Sequence, residues 1–258
     1  MTIDSCVWDE FDIFIDTCKR NRVFPECEYI EKIKAELTNV EQIIDKGTIF
    51  YRARTYKNSF RDRAMEYAKR IHDDTEHGEE LLEEFSRIVE GIRLQKQAGF
   101  NGYDEKGSFV CPDPKIISAG RCNYENEQCL YVGEDIKTAI SEIKPLIRED
   151  VSVACIRAEK QLKIVDFGFE SSNNPIIQTI AFLFIMSPTL ENYDVYTYTQ
   201  IICALVKKMG YDGIRYSSCQ ILNKYNYAIF NFDKCRAVSS DVYTIDRIDY
   251  KFSIAGAK

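Results

Sequence analysis

The sequence predicts an α+β fold. Strand-like and helix-like segments are mixed without the regular alternation of a doubly wound sheet. The glycine patterns of Rossmann and P-loop proteins are absent, and no internal repeat or low-complexity linker interrupts the chain. With 258 residues, 45% of them hydrophobic, the chain is long enough for one large core, or for one domain with a small accessory segment.

In chain order, Trp8, Phe11, Phe14 and Ile15 fall at spacings of three and four, which predicts an amphipathic helix that Pro25 interrupts. YIEKIKAELTNVEQII (29–44) continues the helical period, so residues 1–45 are expected to form an N-terminal helical cap. Lys46-Gly47 breaks the pattern, and TIFYRAR reads as the first strand of the main domain, 46–258. A charge-rich stretch follows, with Leu81, Leu82, Phe85, Ile88, Val89 and Ile92 at helical spacing, and it predicts a peripheral helical insertion over about 56–110. GFNGYDEKGS reads as a turn, and CPDPKIISAGRCNYENEQCLYVG as an irregular loop ending in a strand. DIKTAISEIKP predicts a short helix with Asp135 as N-cap and Pro145 just beyond its end. SVACIRAE, KIVDFG, YDGIRYSS, YAIFNF and CRAVSSDVYTIDRIDYKFS read as strands, and NPIIQTIAFLFIMS and TQIICALVKKMG as core helices.

Composition excludes several function classes. A formal charge of −7 gives no basic footprint for a nucleic-acid backbone or an anionic membrane. The N-terminus MTIDSCVWDEF lacks the pattern of a signal peptide and no apolar run approaches a membrane span, so the expected location is the cytoplasm. Ten scattered cysteines with no C-x-x-C pair are expected to be free thiols. His72 and His77, the only histidines, lie among charged residues and do not share a helical face, which argues against a metal site and a histidine-based triad. Chemistry must then fall to carboxylates, arginines, hydroxyls and aromatics.

Four separated segments carry such residues. They are Tyr51-Arg52; Gly120-Arg121-Cys122-Asn123 with Leu130-Tyr131-Val132 and Thr138-Ala139-Ile140-Ser141-Glu142; Tyr198-Thr199-Gln200; and Gly213-Ile214-Arg215-Tyr216-Ser217-Ser218 with Asn226 through Phe230. In order and content they resemble the RES-domain family, named for an arginine, a glutamate and a serine, over roughly residues 46–250. Cys122 stands where a bulkier residue is common, and YENEQ lacks the glycine often found after the Asn. The resemblance implies an ADP-ribosyltransferase-like α+β fold with a split or bent sheet and NAD bound in a cleft. It also implies a toxin or defence effector that consumes NAD by phosphorolysis or hydrolysis, held inactive by a protein antitoxin. NAD would be the substrate and inorganic phosphate a possible acceptor, with no permanent cofactor, metal, nucleic acid or membrane.

Residue chemistry fits this independently. Cleavage of the nicotinamide–ribose bond passes through an oxocarbenium-like ribose that the Glu142 carboxylate can stabilise, although Glu142 read alone is a solvated helix carboxylate. Arg52 and Arg121 present planar forks suited to pyrophosphate, against the alternative of surface ion pairs. Arg52 sits in an otherwise apolar strand, where an unpartnered charge is costly. Tyr51 and Tyr131 offer aromatic faces to nicotinamide or ribose, with core packing as the rival reading. Ser218, two places after Tyr216, aligns with the family serine and can orient nicotinamide or hold Glu142. It has no histidine base to make it a nucleophile. Catalysis is expected from Glu142, Arg52 and Ser218, and binding from Tyr51, Arg52, Arg121, Asn123, Tyr131, Ser218 and Asn226. Asn226 also suits anchoring a strand pair, and Gln200 suits capping or packing. A mono-ADP-ribosyltransferase acting on a macromolecule, or a silent nucleotide- or partner-binding module, are the competing readings.

Overall fold

The structure, a computed structural model, describes residues 5–21, 24, 26–57, 60–73, 77–186 and 195–249. Its elements are α1 (Ser5–Asn21), α2 (Glu28–Asn39), β1 (Glu41–Ile44), β2 (Ile49–Thr55), α3 (Phe60–Asp73), α4 (Gly78–Gln97) and α5 (Glu105–Ser108). After these come β3 (Leu130–Gly133), α6 (Ile136–Glu142), β4 (Asp150–Ala158), β5 (Leu162–Phe167), α7 (Pro175–Ile185), α8 (Val195–Lys208), β6 (Gly213–Ser217), β7 (Tyr225–Ile229) and β8 (Cys235–Thr244). The fold is α+β, as expected.

The strands form one open eight-stranded sheet in the order β1-β5-β6-β7-β3-β2-β4-β8. Among the described strands only β5 and β6 pair in parallel, and parallel neighbours need a long crossover, which contains α7 and α8. The sheet is continuous but narrows to one residue pair between β2 and β3, Tyr51↔Gly133. β2 pairs along its whole length with β4, and β3 along its whole length with β7. Two well-paired halves therefore meet at a single pair, and β2 and β3 part beyond it. A bulge between Cys155 and Ile156 adds a second irregularity where β4 meets β8.

Strand alternation sorts the core onto two faces. On one face, Val165, Phe167, Ile214 and Ala228 pack against Phe11, Ile15, Ile33 and Leu37 of the N-terminal helices and Ile177, Ile180, Leu205 and Val206 of α7 and α8. Further along the same face, Ala53, Val151 and Val153 pack against Ala139 of α6. The opposite face buries Phe50, Leu130, Val132, Ile156, Leu162 and Ile164. The N-terminal helices thus belong to the main core. The side chain of Trp8 lies outside the described residues.

Several elements end elsewhere than the sequence pattern suggests. The second helix, expected to reach residue 44, stops at Asn39, and Glu41–Ile44 is a strand paired with β5. Val40 and Ile44 keep helical spacing from Leu37, so periodicity alone does not mark the stop. GFNGYDEKGS contains the one-turn α5, capped by the Asp104 side chain accepting from the Gly107 N–H at 2.7 Å. The last strand ends at Thr244, while residues 250–253 of the expected strand lie outside the described residues, as does residue 187 of the expected core helix. The peripheral helical segment is an α3–α4 pair, joined by the Tyr67–Phe85 ring contact at 5.5 Å and a Tyr67 hydroxyl donating to Glu84. Its chain returns to the sheet at Gly102, where any Cβ would lie 2.2 Å from the Ser152 hydroxyl.

The nine cysteines that the structure characterises are free. Burial pushes the Cys129 and Cys203 thiols well up from their ordinary range, so both are inert packing groups. Among the described residues no helix is long and apolar enough to cross a membrane, and no cluster of His, Cys, Asp or Glu suits a metal ion.

Candidate functional site

A transverse row across four strands forms the floor of a cleft at the narrowing of the sheet. Tyr216 of β6 pairs with Asn226 of β7, Asn226 with Gly133 of β3, and Gly133 with Tyr51 of β2. Gly133 is required there: an added Cβ would lie 2.8 Å from the Ala139 backbone nitrogen, so only glycine lets α6 rest on the sheet. The Asp135 side chain caps α6 by accepting from the Thr138 N–H at 2.7 Å. Burial alone would raise the Asp135 carboxyl, but the Lys224 ammonium and that N–H hold it down at about 2. A charged cap at neutral pH fixes the short helix whose last residue is Glu142.

The Glu142 carboxylate is fastened by one oxygen. Its Oε1 accepts from the Ser218 hydroxyl at 2.7 Å and from Asn226 Nδ2 at 2.7 Å. Ser218 Oγ in turn accepts from the backbone N–H groups of Gln220 and Ile221, at 3.1 and 3.3 Å. Its single proton is therefore committed to Glu142, which makes Ser218 a support for the carboxylate and leaves it no lone role as a nucleophile. Glu142 Oε2 has no protein partner among the described residues and remains available to a ligand.

The cleft occupies about 480 Å³ and is lined by Tyr51, Arg52, Arg121, Tyr131, Glu142 and Asn226 of the expected residues. This volume is of the order found for small-molecule sites. Ser218 reaches it through Glu142. Asn123 does not line it: its Oδ1 accepts from the Tyr131 hydroxyl at 2.8 Å, and its Nδ2 donates to the carbonyls of Ser118 and Tyr124. Gln200 stands behind the same loop, donating to the carbonyls of Gly120 and Asn123. Gly120 leaves the room this network needs, since a Cβ there would lie 2.6 Å from Asn123 Oδ1.

Tyr131 therefore contributes its ring to the cleft and its hydroxyl to the wall. The hydroxyl also accepts from the Cys122 N–H at 2.7 Å. Tyr131→Phe strips a partner from two largely buried groups and is expected to lower stability by about 1–3 kcal/mol. An unchanged denaturant midpoint would show that Gln200, and the Thr199 hydroxyl donating to the Arg121 carbonyl at 2.7 Å, hold the loop without it.

Arg121 and Arg52 enter from opposite sides. The Arg121 guanidinium donates to the carbonyls of Leu183 and Met186 at the C-terminal end of α7, where the helix dipole favours a cation, and lies 5.6 Å from the Tyr196 ring. Arg52 alternates away from Tyr51, and its guanidinium donates to the Phe109 carbonyl on the other face of the sheet. Burial, then the neighbouring Arg54 charge, push its pKa down to about 10. Neither arginine has a carboxylate partner among the described residues, although ion pairs are common elsewhere, as in Arg215–Asp166 and Lys207–Glu127. Lys144, also without one, lines the cleft just past α6 in a left-handed turn (φ 48°).

Residue-type reasoning missed Tyr196, Lys144, Cys219, Gln220 and the lining role of Tyr216. The sole sequence signal for Tyr196 and Gln220 was proximity to the Thr199-Gln200 and Ser218 blocks.

No curated protein matches the chain. The RES domain, as a family, matches residues 102–253, a span that contains Arg121, Glu142, Ser218 and Asn226 and begins after β2, so that Tyr51 and Arg52 join the site through the fold. With more than half of its length matched and the arginine, glutamate and serine gathered around one cleft, the chain belongs to the RES-domain family.

Proposed function

We propose that the chain cleaves the nicotinamide–ribose bond of NAD and passes the ADP-ribosyl group to phosphate or water, acting as a growth-arresting toxin or defence effector. The observation that carries this reading is a fixed carboxylate, Glu142, facing a cleft whose cations have no carboxylate partner among the described residues. Such a cleft is matched to a ligand that brings its own negative charge at one end and develops positive charge at the other.

In NAD the pyrophosphate supplies the first and the reacting ribose the second. Arg121 takes the pyrophosphate oxygens through charge-assisted hydrogen bonds, and Arg52 joins it by leaving the Phe109 carbonyl for the gap where β2 and β3 part. As the C1′–N bond breaks, its electron pair goes to the nicotinamide nitrogen, neutralising that ring, and positive charge moves onto the ribose beside Glu142. No general acid is required, because the leaving group departs neutral. A phosphate or water oxygen then bonds to C1′; water loses one proton in doing so. Tyr51 and Tyr131 flank the rings.

Incubating purified protein with NAD, with and without phosphate, and weighing every product tests this. Nicotinamide together with ADP-ribose, or with ADP-ribose carrying a phosphate at C1′, is the expected result. Absence of nicotinamide release overturns the reading, and release that requires an added macromolecule turns it to mono-ADP-ribosyl transfer. Expression in cells is expected to arrest growth unless a protein inhibitor is co-expressed.

A further inference from the structure

We infer that the Tyr216 hydroxyl is a substrate-binding group that hydrogen-bonds a hydroxyl of the nicotinamide ribose and makes the cleft selective for an intact ribose. This rests on the NAD reading above and adds a contact to it. Tyr216 is 7% exposed and lines the cleft, yet its hydroxyl has no hydrogen-bond partner among the described residues. Three other tyrosines are tied into the fold by their hydroxyls, Tyr131 on Asn123, Tyr103 on the Thr55 carbonyl and Tyr211 on Glu41, while the Tyr29 hydroxyl is buried without a partner away from the cleft lining. A phenol buried to this degree usually finds a partner, and here the open direction is the cleft itself.

The ring is not free to turn away. It packs against Phe184 at 5.3 Å, which stacks on Phe167 at 5.3 Å. Its neighbour across the strands is Asn226, the residue that fastens Glu142. The phenol shares the lining of this cleft with Arg121 and Glu142. In the bound dinucleotide the nicotinamide ribose spans the interval from C1′ beside Glu142 to the 5′-phosphate held by arginine. Burial pushes the Tyr216 pKa well up, so the group stays an O–H donor at neutral pH.

The test compares Tyr216→Phe with the parent on NAD and on two analogues, lacking the 2′- or the 3′-hydroxyl of the nicotinamide ribose. On NAD the substitution is expected to lower kcat/KM about tenfold, the scale of one lost neutral hydrogen bond. On one of the two analogues the parent-to-variant ratio is expected to fall to about one. The melting temperature is expected to stay unchanged, because the hydroxyl has no protein partner; a clear drop would reveal one and overturn the inference. A parent that cleaves NAD with Tyr216→Phe equally active overturns it and leaves the NAD reading standing. So does a loss that persists on both analogues, which assigns the effect to ring packing. A parent that leaves NAD intact removes both together.

Discussion

The Glu142→Gln protein is expected to bind NAD with nearly parental affinity and to turn it over roughly a hundredfold more slowly, or slower still. The amide keeps a carbonyl oxygen that can accept from Ser218 and Asn226 as Oε1 does now, so the fold and the end of α6 are retained. What disappears is the negative charge. That charge has little to act on in ground-state NAD, whose nicotinamide carries the formal positive charge, and much to act on when the ribose becomes cationic. The expected signature is therefore a fall in kcat with little change in Kd, measured by nicotinamide release and by calorimetry under the same buffer. Equal losses in affinity and turnover would point to uniform binding. A folded Glu142→Gln protein that cleaves NAD at the parental rate would leave Glu142 an ordinary helix carboxylate. Growth arrest by the expressed protein is expected to vanish with turnover.

The parts of this site legible in the sequence are those where a residue's role follows from local order. Asp135 three residues before Thr138 announces a capped helix, and Glu142 follows as its last residue. Ser218 two places after an aromatic, with Asn226 on the next strand, sets the two partners of that carboxylate. Roles that depend on which way a side chain leaves a loop or strand were not legible. Asn123 lies in the most specific block, yet its polar groups turn inward to Tyr131, Ser118 and Tyr124, which makes it the scaffold of the loop. Tyr196 is one of 16 tyrosines, and nothing in its neighbours distinguishes a cleft wall from core packing. Nor is the narrowing of the sheet written locally, since it arises from β2 pairing fully with β4 and only once with β3, contacts separated by many residues.

Arg52→Met is expected to move stability and affinity in opposite directions. The guanidinium sits among the groups of the Phe50–Val132–Ile156 face, bonded to one carbonyl and unbalanced by any carboxylate among the described residues. Its pKa falls to about 10, first from burial and then from Arg54, against an ordinary value of 12.5. The folded chain thus holds this proton less tightly than the unfolded chain. The group opposes folding at every pH below about 10, and the penalty fades only as pH rises from there toward 12.5. At neutral pH it is present in full, at most roughly 3 kcal/mol. Methionine fills similar space without charge. It strands the Phe109 carbonyl, a loss of about 1 kcal/mol, so a net gain on the order of 1–2 kcal/mol remains. That corresponds to a melting temperature about 2–8 °C higher for a domain of this size. NAD affinity is expected to fall about tenfold or more, the scale of a lost charge-assisted hydrogen bond. A destabilising cation retained at the narrowest part of the sheet makes sense if a ligand's phosphates neutralise it. If Arg52→Met instead melts lower and binds NAD unchanged, the arginine is a structural tie between β2 and the Phe109 segment.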